Sequence, residues 1–299
     1  MIDLGAGAYP ALGDVNGDGL IDMVVSNRKR FNLDESFTSR LHYFKNVGTP
    51  TQPAFDLADS NLLNIPSLQL LNIAPALGDL DGDGDQDLVV GDLNGVLHRF
   101  NNTTQDGAVS FEALPLPISS SNGETIDAGQ SATPQLFDVD ADGKNDLLIG
   151  CLNGSVVYYK NTGTAQNAIF EWQTDSLGQA VALSLLGIQG KSVPCMYRNP
   201  DGTTGLLLGT EVGPIMHYQG IEGNLLGQFE LTSDDFEHIR EGARTAPQRI
   251  DRQDPVGQRP DNPGRRRPIH PAAQTIPIRN RPPYSSDQES GAGRFAPDR

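Results

Sequence analysis

Asp79, Asp81, Asp83 and Asp87 put four carboxylates into nine consecutive positions, with Gly82 and Gly84 between them. Clustered carboxylates repel one another unless a cation neutralises them. A hard cation such as Ca²⁺ takes about six to eight oxygens at about 2.3–2.6 Å. Alternate side chains of a tightly curled loop can converge on such a centre, and the glycines permit the backbone angles that curling requires. The seventh position, Asp85, is expected to offer its backbone carbonyl, so its side chain is free to vary. Asp87 then closes the site at the ninth position. A lone Asp-Gly pair reads as a hairpin turn. Four carboxylates in nine positions exceed what a turn needs.

The pattern returns in phase. Asp14, Asn16, Asp18 and Asp22 form a first copy, with Leu20 in the carbonyl position. Asp138, Asp140, Asp142 and Asp146 form a third, with Lys144 there. A fourth copy is worn: Asn199-Pro200-Asp201-Gly202 remains, and Tyr197 and Gly205 stand at the expected first and last ligand positions. It reads as a plain turn without metal. The loops are not EF-hands, which need a bidentate Glu at position twelve and flanking helices. Val25, Val90 and Ile149 occupy position twelve, inside apolar runs.

The elements that must position these loops repeat as well. Pro10, Pro75, Pro134, Pro194 and Pro247 mark unit starts 65, 59, 60 and 53 residues apart. Such a period points to a repeat architecture. After each loop comes a short Leu or β-branched run, then a Gly or Asn turn. An aromatic strand follows, such as His42-Tyr43-Phe44 or Tyr158-Tyr159. A fourth strand is expected to centre on Phe55, Phe111, Phe170 or Phe229. Four short strands in about sixty residues read as one propeller blade. Without a sustained 3.6-residue apolar period, helices should be minor. The fold expected is all-β: an incomplete propeller of about four blades over 1–247, with repeats starting near 9, 74, 133 and 193. A solenoid or stacked sandwich fits four strands per unit less well.

Composition narrows the function. The net charge of −16 argues against nucleic-acid binding. No apolar run is long enough for a transmembrane helix, and the N-terminus lacks the pattern of a signal peptide. Cys151 and Cys195 allow one bridge at most and read as free, partly buried thiols. No nucleophile motif, phosphate loop or zinc spacing is present. His98 and His217 fall among the strand aromatics, and His238 sits on an acidic edge beside Asp234, Asp235 and Glu237. Tyr159 and Trp172 could line a sugar site, though packing is the plainer reading. From Gln248 to Arg299, ten Arg and nine Pro stand against six acidic residues, a net of +4 that leaves about −20 on 1–247. That composition predicts a disordered tail; a basic binding arm and a frameshifted continuation of the next blade are the other readings.

The stretch Ala-Pro-Ala-Leu-Gly-Asp-Leu-Asp-Gly-Asp-Gly-Asp-Gln-Asp-Leu-Val-Val-Gly at 74–91 resembles the FG-GAP or VCBS-type repeat. Tyr-Lys-Asn-Thr-Gly-Thr at 159–164 is similar to its secreted bacterial branch. The resemblance covers about 9–240. It implies an integrin-α-like, calcium-binding β-propeller that is extracellular or on the cell surface. It implies about three structural calcium sites, held by Asp14, Asn16, Asp18 and Asp22; by Asp79, Asp81, Asp83 and Asp87; and by Asp138, Asp140, Asp142 and Asp146. The carbonyls of Leu20, Asp85 and Lys144 complete them. Family propellers commonly have seven blades, so the chain is expected to be part of a longer protein. The function expected is non-enzymatic adhesion or binding of an extracellular protein or glycan. A lectin-like, lyase or hydrolase propeller is the alternative.

Overall fold

Each Asp-rich segment is the loop between the first two strands of an antiparallel sheet. This holds in the computed structural model, which describes residues 4, 6–31, 37–112, 115–182, 190–239 and 245–248. The first sheet comprises β1 (Ala6–Gly13), β2 (Asp22–Phe31), β4 (Leu41–Asn46) and β5 (Phe55–Leu62), with the two-residue β3 (Phe37–Thr38) paired to the end of β2. The second comprises β6 (Ala74–Gly78), β7 (Asp87–Gly91), β8 (Leu97–Phe100) and β9 (Leu116–Pro117). The third comprises β10 (Thr133–Phe137), β11 (Asp146–Gly150), β12 (Val156–Asn161) and β13 (Phe170–Thr174). The fourth comprises β14 (Ser192–Arg198), β15 (Thr204–Thr210), β16 (Met216–Gln219) and β17 (Glu230–Ser233). The four meanders are the blades of a four-blade β-propeller, with β1, β6, β10 and β14 packed in succession.

The core lies between blades. Leu88, Val90 and Phe100 of the second blade pack with Val24, Leu41 and Tyr43 of the first. Val89 and Leu97 pack with Leu147, Ile149 and Val157 of the third. Leu148, Val156 and Tyr158 pack with Met196, Leu206 and Leu208 of the fourth. Alternate residues of one strand therefore serve two neighbours, which is why β7 and β11 are apolar throughout after their opening Asp87 and Asp146. Each such side chain contributes about 1.5–3 kcal/mol on burial. The outermost strands face solvent on much of their length: five consecutive residues of β5 are exposed.

One glycine shows how blades join. A Cβ on Gly91, at the end of β7, would lie 2.5 Å from the carbonyl oxygen of Ala132, where the third blade begins. Only a residue without a side chain admits so close an approach. Gly209 meets Thr245 and Pro247 in the same way. Thr245 N also donates to Thr210 O at 3.1 Å, as Ala132 N does to Asp92 O and Ser192 N to Cys151 O. Residues 245–247 thus sit on the fourth blade as the start of a fifth unit would. The Arg/Pro-rich stretch from Arg249 onward, with the tail predicted for it, lies outside the described residues.

Two expectations need correction. Phe55 and Phe170 open the fourth strands rather than centring them, Phe229 immediately precedes its strand, and Phe111 stands in an isolated bridge five residues before β9. Phe55, Phe111 and Phe170 pair with Asn46, Asn102 and Asn161 at the turn. Phe111, Phe170 and Phe229 are buried there, before the strand runs out to solvent. Cys151 and Cys195 form no disulfide, and both are fully buried rather than partly so. Among the described residues helices are minor: α1 (Ile65–Leu68) and two single 3₁₀ turns. Among the described residues, no helix is long and apolar enough to cross a membrane.

Candidate metal centres

The first Asp of each loop folds the loop around its own carboxylate. Asp14 accepts from Asp18 N at 3.1 Å and Gly19 N at 2.8 Å. Asp138 accepts from Asp142 N at 3.0 Å and Gly143 N at 2.9 Å. Asp79 accepts from Gly82 N at 2.6 Å and Gly84 N at 3.1 Å. The fifth-position carboxylates of Asp18, Asp83 and Asp142 each accept from the backbone two residues on, at Leu20, Asp85 and Lys144.

The ninth Asp clamps the loop to the sheet and is almost wholly buried: Asp22 0%, Asp87 1%, Asp146 0% exposed. Its Oδ1 accepts from the backbone N–H at the end of the third strand: Asn46 at 2.8 Å, Asn102 at 2.9 Å and Asn161 at 2.8 Å. Leu80 N and Val139 N reach Oδ2 of Asp87 and Asp146 at 3.1 and 3.2 Å. A third-strand side chain completes the set. Tyr43 Oη donates to Asp22 Oδ2 at 2.8 Å, and Tyr158 Oη to Asp146 Oδ2 at 3.1 Å. Arg99 Nη2 does so to Asp87 Oδ2 at 2.8 Å.

These bonds bring carboxylates together. One oxygen each of Asp79, Asp81 and Asp87 lie within 4.8 Å of one another, as do those of Asp138, Asp140 and Asp146. Both clusters could hold a metal ion. The buried Oδ1 of Asp81 has no hydrogen-bond partner, an oxygen that a cation would satisfy. Residues 14–90 match the FG-GAP-like repeat family. The match spans the first Asp loop, the rest of the first blade and the opening of the second. It is 28% identical over 151 residues to integrin alpha-4 of Xenopus laevis, an alignment covering 48% of this chain and 14% of that protein.

The three Asp loops are electrostatically unbalanced. Burial pushes Asp22, Asp87 and Asp146 above the ordinary carboxylate range, against the pull of their backbone donors, and Asp146 rises to about 6. Burial, and then repulsion from Asp83, raises Asp81. Lysines answer part of the charge from the solvent side. Lys45 pairs with Asp18 at 3.1 Å, Lys144 with Asp142 at 3.0 Å, and Lys160 with Asp140.

The predicted residues do not all converge. Asp83 and Asp142 stand outside the two three-carboxylate clusters, and the first loop has Asn16 in place of an acid. The amide of Asn16 donates to Tyr43 Oη at 3.1 Å and is 3% exposed. It extends the Tyr43–Asp22 chain into the loop.

In the fourth blade the first ligand position belongs to Arg198, not Tyr197. Gly13 pairs with Asp22, and Tyr197 pairs with Gly205, so the loop there is one residue shorter and the alignment shifts. Asn199 N bonds Thr203 O at 2.6 Å and closes a simple hairpin. His98 likewise does not share the position of Tyr43. Met23 pairs with Phe44 and Leu88 with Phe100, which places Arg99 there. His217 does occupy it, and bonds Tyr197 Oη at 2.7 Å in place of a carboxylate. His238 pairs with Asp235 at 3.1 Å on an exposed acidic edge. The sequence reading missed Tyr43, Arg99 and Tyr158 as supports of the ninth Asp. Their signal was present: each stands three residues before the recurring Asn46, Asn102 or Asn161.

Proposed function

We propose that this chain is a non-enzymatic, calcium-stabilised β-propeller module of a secreted or cell-surface protein. It serves adhesion or the binding of an extracellular protein or glycan. Calcium in the loops joining the first two strands of blades one to three clasps those strands; it takes no part in catalysis. The ligands are the side chains of Asp14, Asn16, Asp18 and Asp22, of Asp79, Asp81, Asp83 and Asp87, and of Asp138, Asp140, Asp142 and Asp146. The carbonyls of Leu20, Asp85 and Lys144 add to them.

The observation that carries this reading is the convergence of Asp79, Asp81 and Asp87, and of Asp138, Asp140 and Asp146, at matching loops of successive blades. The likeness to integrin alpha-4 supports the extracellular setting and an interaction role. The likeness of 159–164 to the secreted bacterial branch of the VCBS-type repeat supports a secreted setting. Nucleic acid is an unsuitable partner for a chain of net charge −16.

The test is thermal melting in millimolar calcium and in chelator, because extracellular sites of this kind bind at about 10⁻⁴–10⁻³ M. Calcium should raise the melting temperature, and Asp83→Ala and Asp142→Ala should each reduce that gain. Identical curves in calcium and chelator would sink the reading. Trp172, 53% exposed on β13, suits a glycan or a protein partner alike, and a glycan array with calcium present separates the two.

A further inference from the structure

The second loop contains a cation of its own. The pairing of Met23 with Phe44, Leu88 with Phe100 and Leu147 with Tyr159 places Tyr43, Arg99 and Tyr158 at one structural position. The first and third blades put a neutral hydroxyl there. The second puts a guanidinium, and its Nη2 bonds Asp87 Oδ2 at 2.8 Å and Asp81 Oδ2 at 3.0 Å. Two of the three converging carboxylates are therefore already tied to a positive charge.

Arg99 differs from the lysines at the other loops in reaching a buried ninth-position carboxylate; Lys144, 22% exposed, among carboxylates meets only the exposed Asp142, and the other two are shallower. Lys45 and Lys160 are 39% and 34% exposed and meet third- or fifth-position carboxylates from the solvent side. Their long stems can swing away into water. The Arg99 side chain is 20% exposed, its partner Asp87 is 2% exposed, and its Nε is buried. A guanidinium that leaves Asp87 has little water to move into, and leaving a buried charge unpaired is costly. A divalent ion in the second loop must either displace it or sit beside it against like-charge repulsion. A buried ion pair of good geometry also needs no metal to hold the loop shut.

Resting on the calcium reading above, we propose that Arg99 is the built-in counter-cation of the second loop. It closes that loop without calcium and sets its calcium affinity below those of the first and third loops. The chain then has two calcium-dependent clasps flanking one that holds without calcium and takes the ion only weakly. The reduction expected is on the order of tenfold or more, since a neighbouring unit charge acts strongly in a partly desolvated site.

Calorimetric titration of the whole chain with calcium tests this, paired with melting in chelator. The wild type should show tighter steps and one weaker step. Asp83→Ala, which alters the second loop alone, should remove the weaker step and keep the tighter ones. Arg99→Tyr, which copies blades one and three, should bring the weak step up to the others and enlarge the calcium-induced rise in melting temperature. Arg99→Gln, too short to reach both carboxylates, should act in the same direction if the tyrosine variant folds poorly. Loss of a tight step in Asp83→Ala overturns the proposal, as do unchanged affinities in both Arg99 variants. A wild type that binds no calcium overturns the calcium reading itself.

Discussion

Arg198 holds the backbone carbonyl of Asp138, with Nη2 2.7 Å from the oxygen. The bond crosses from the fourth blade to the first ligand residue of the third, and the same guanidinium lies 5.6 Å from the Phe137 ring. Asn145 reaches back to the carbonyl of Asp79 in a similar way, at 3.3 Å. Asn102 donates to the carbonyl of Val15 in the first loop at 3.1 Å, so each Asp loop is braced by the blade that follows it, and the worn fourth loop supplies a cation where the others supply a carboxylate.

Removing that brace should loosen the third loop. A hydrogen bond from a charged group is worth about 1.5–3 kcal/mol. Arg198→Met should lower the melting temperature by several degrees and weaken calcium binding at the third loop, read by melting and titration. Unchanged values would mean that the bond is incidental.

Two carboxylates of one loop should behave differently. Asp146→Ala strands Asn161 N–H, Val139 N–H and the Tyr158 hydroxyl. It should cost at least about 3 kcal/mol even in chelator. Asp142 is exposed, so Asp142→Ala should change metal-free stability by about 0.5 kcal/mol or less and lose only the calcium increment. Urea unfolding with and without chelator separates the two.

The blade junctions make a steric prediction. Gly91→Ala forces a methyl group into the Ala132 carbonyl, and overpacking of this kind costs about 1–3 kcal/mol. Ser26 occupies the equivalent position in the first blade and donates to Ile73 O at 2.7 Å. Ser26→Gly should therefore cost only about 1 kcal/mol, the worth of that bond. Urea midpoints of the two variants give the comparison.

A pH dependence follows from His217. Its ring lies between Tyr197 Oη at 2.7 Å from Nε2 and Thr232 Oγ1 at 2.9 Å from Nδ1. The Thr232 hydroxyl donates to the His217 carbonyl, so it accepts from Nδ1–H, and Nε2 accepts from Tyr197. That arrangement needs the neutral ring. Burial holds the imidazole below its ordinary value of 6.5, so between the two values the unfolded chain binds more protons than the folded one. This contribution to stability is complete above about pH 6.5 and is lost as pH falls below it. His217→Phe should narrow its stability gap to wild type on acidification from pH 7 to 5, measured by urea unfolding. A gap independent of pH would exclude this role.

The sequence by itself determined the repeat, the strand order within each blade and the phase of the Asp loops. These follow from local periodicity: turn glycines, short apolar runs and carboxylates at fixed offsets. It also marked Pro247 as the start of a further unit, and residues 245–247 sit on the fourth blade in that way. Tertiary structure alone decided what stands against each buried carboxylate. The partner of Asp87 is Arg99, twelve residues away on another strand, and pairing register brings it there while Asp22 and Asp146 receive tyrosines. Register likewise put Arg198, rather than Tyr197, at the first position of the fourth loop, because one deleted residue is invisible until two strands are paired. Spacing along the chain sets which groups can converge, but cross-strand pairing sets which charges meet.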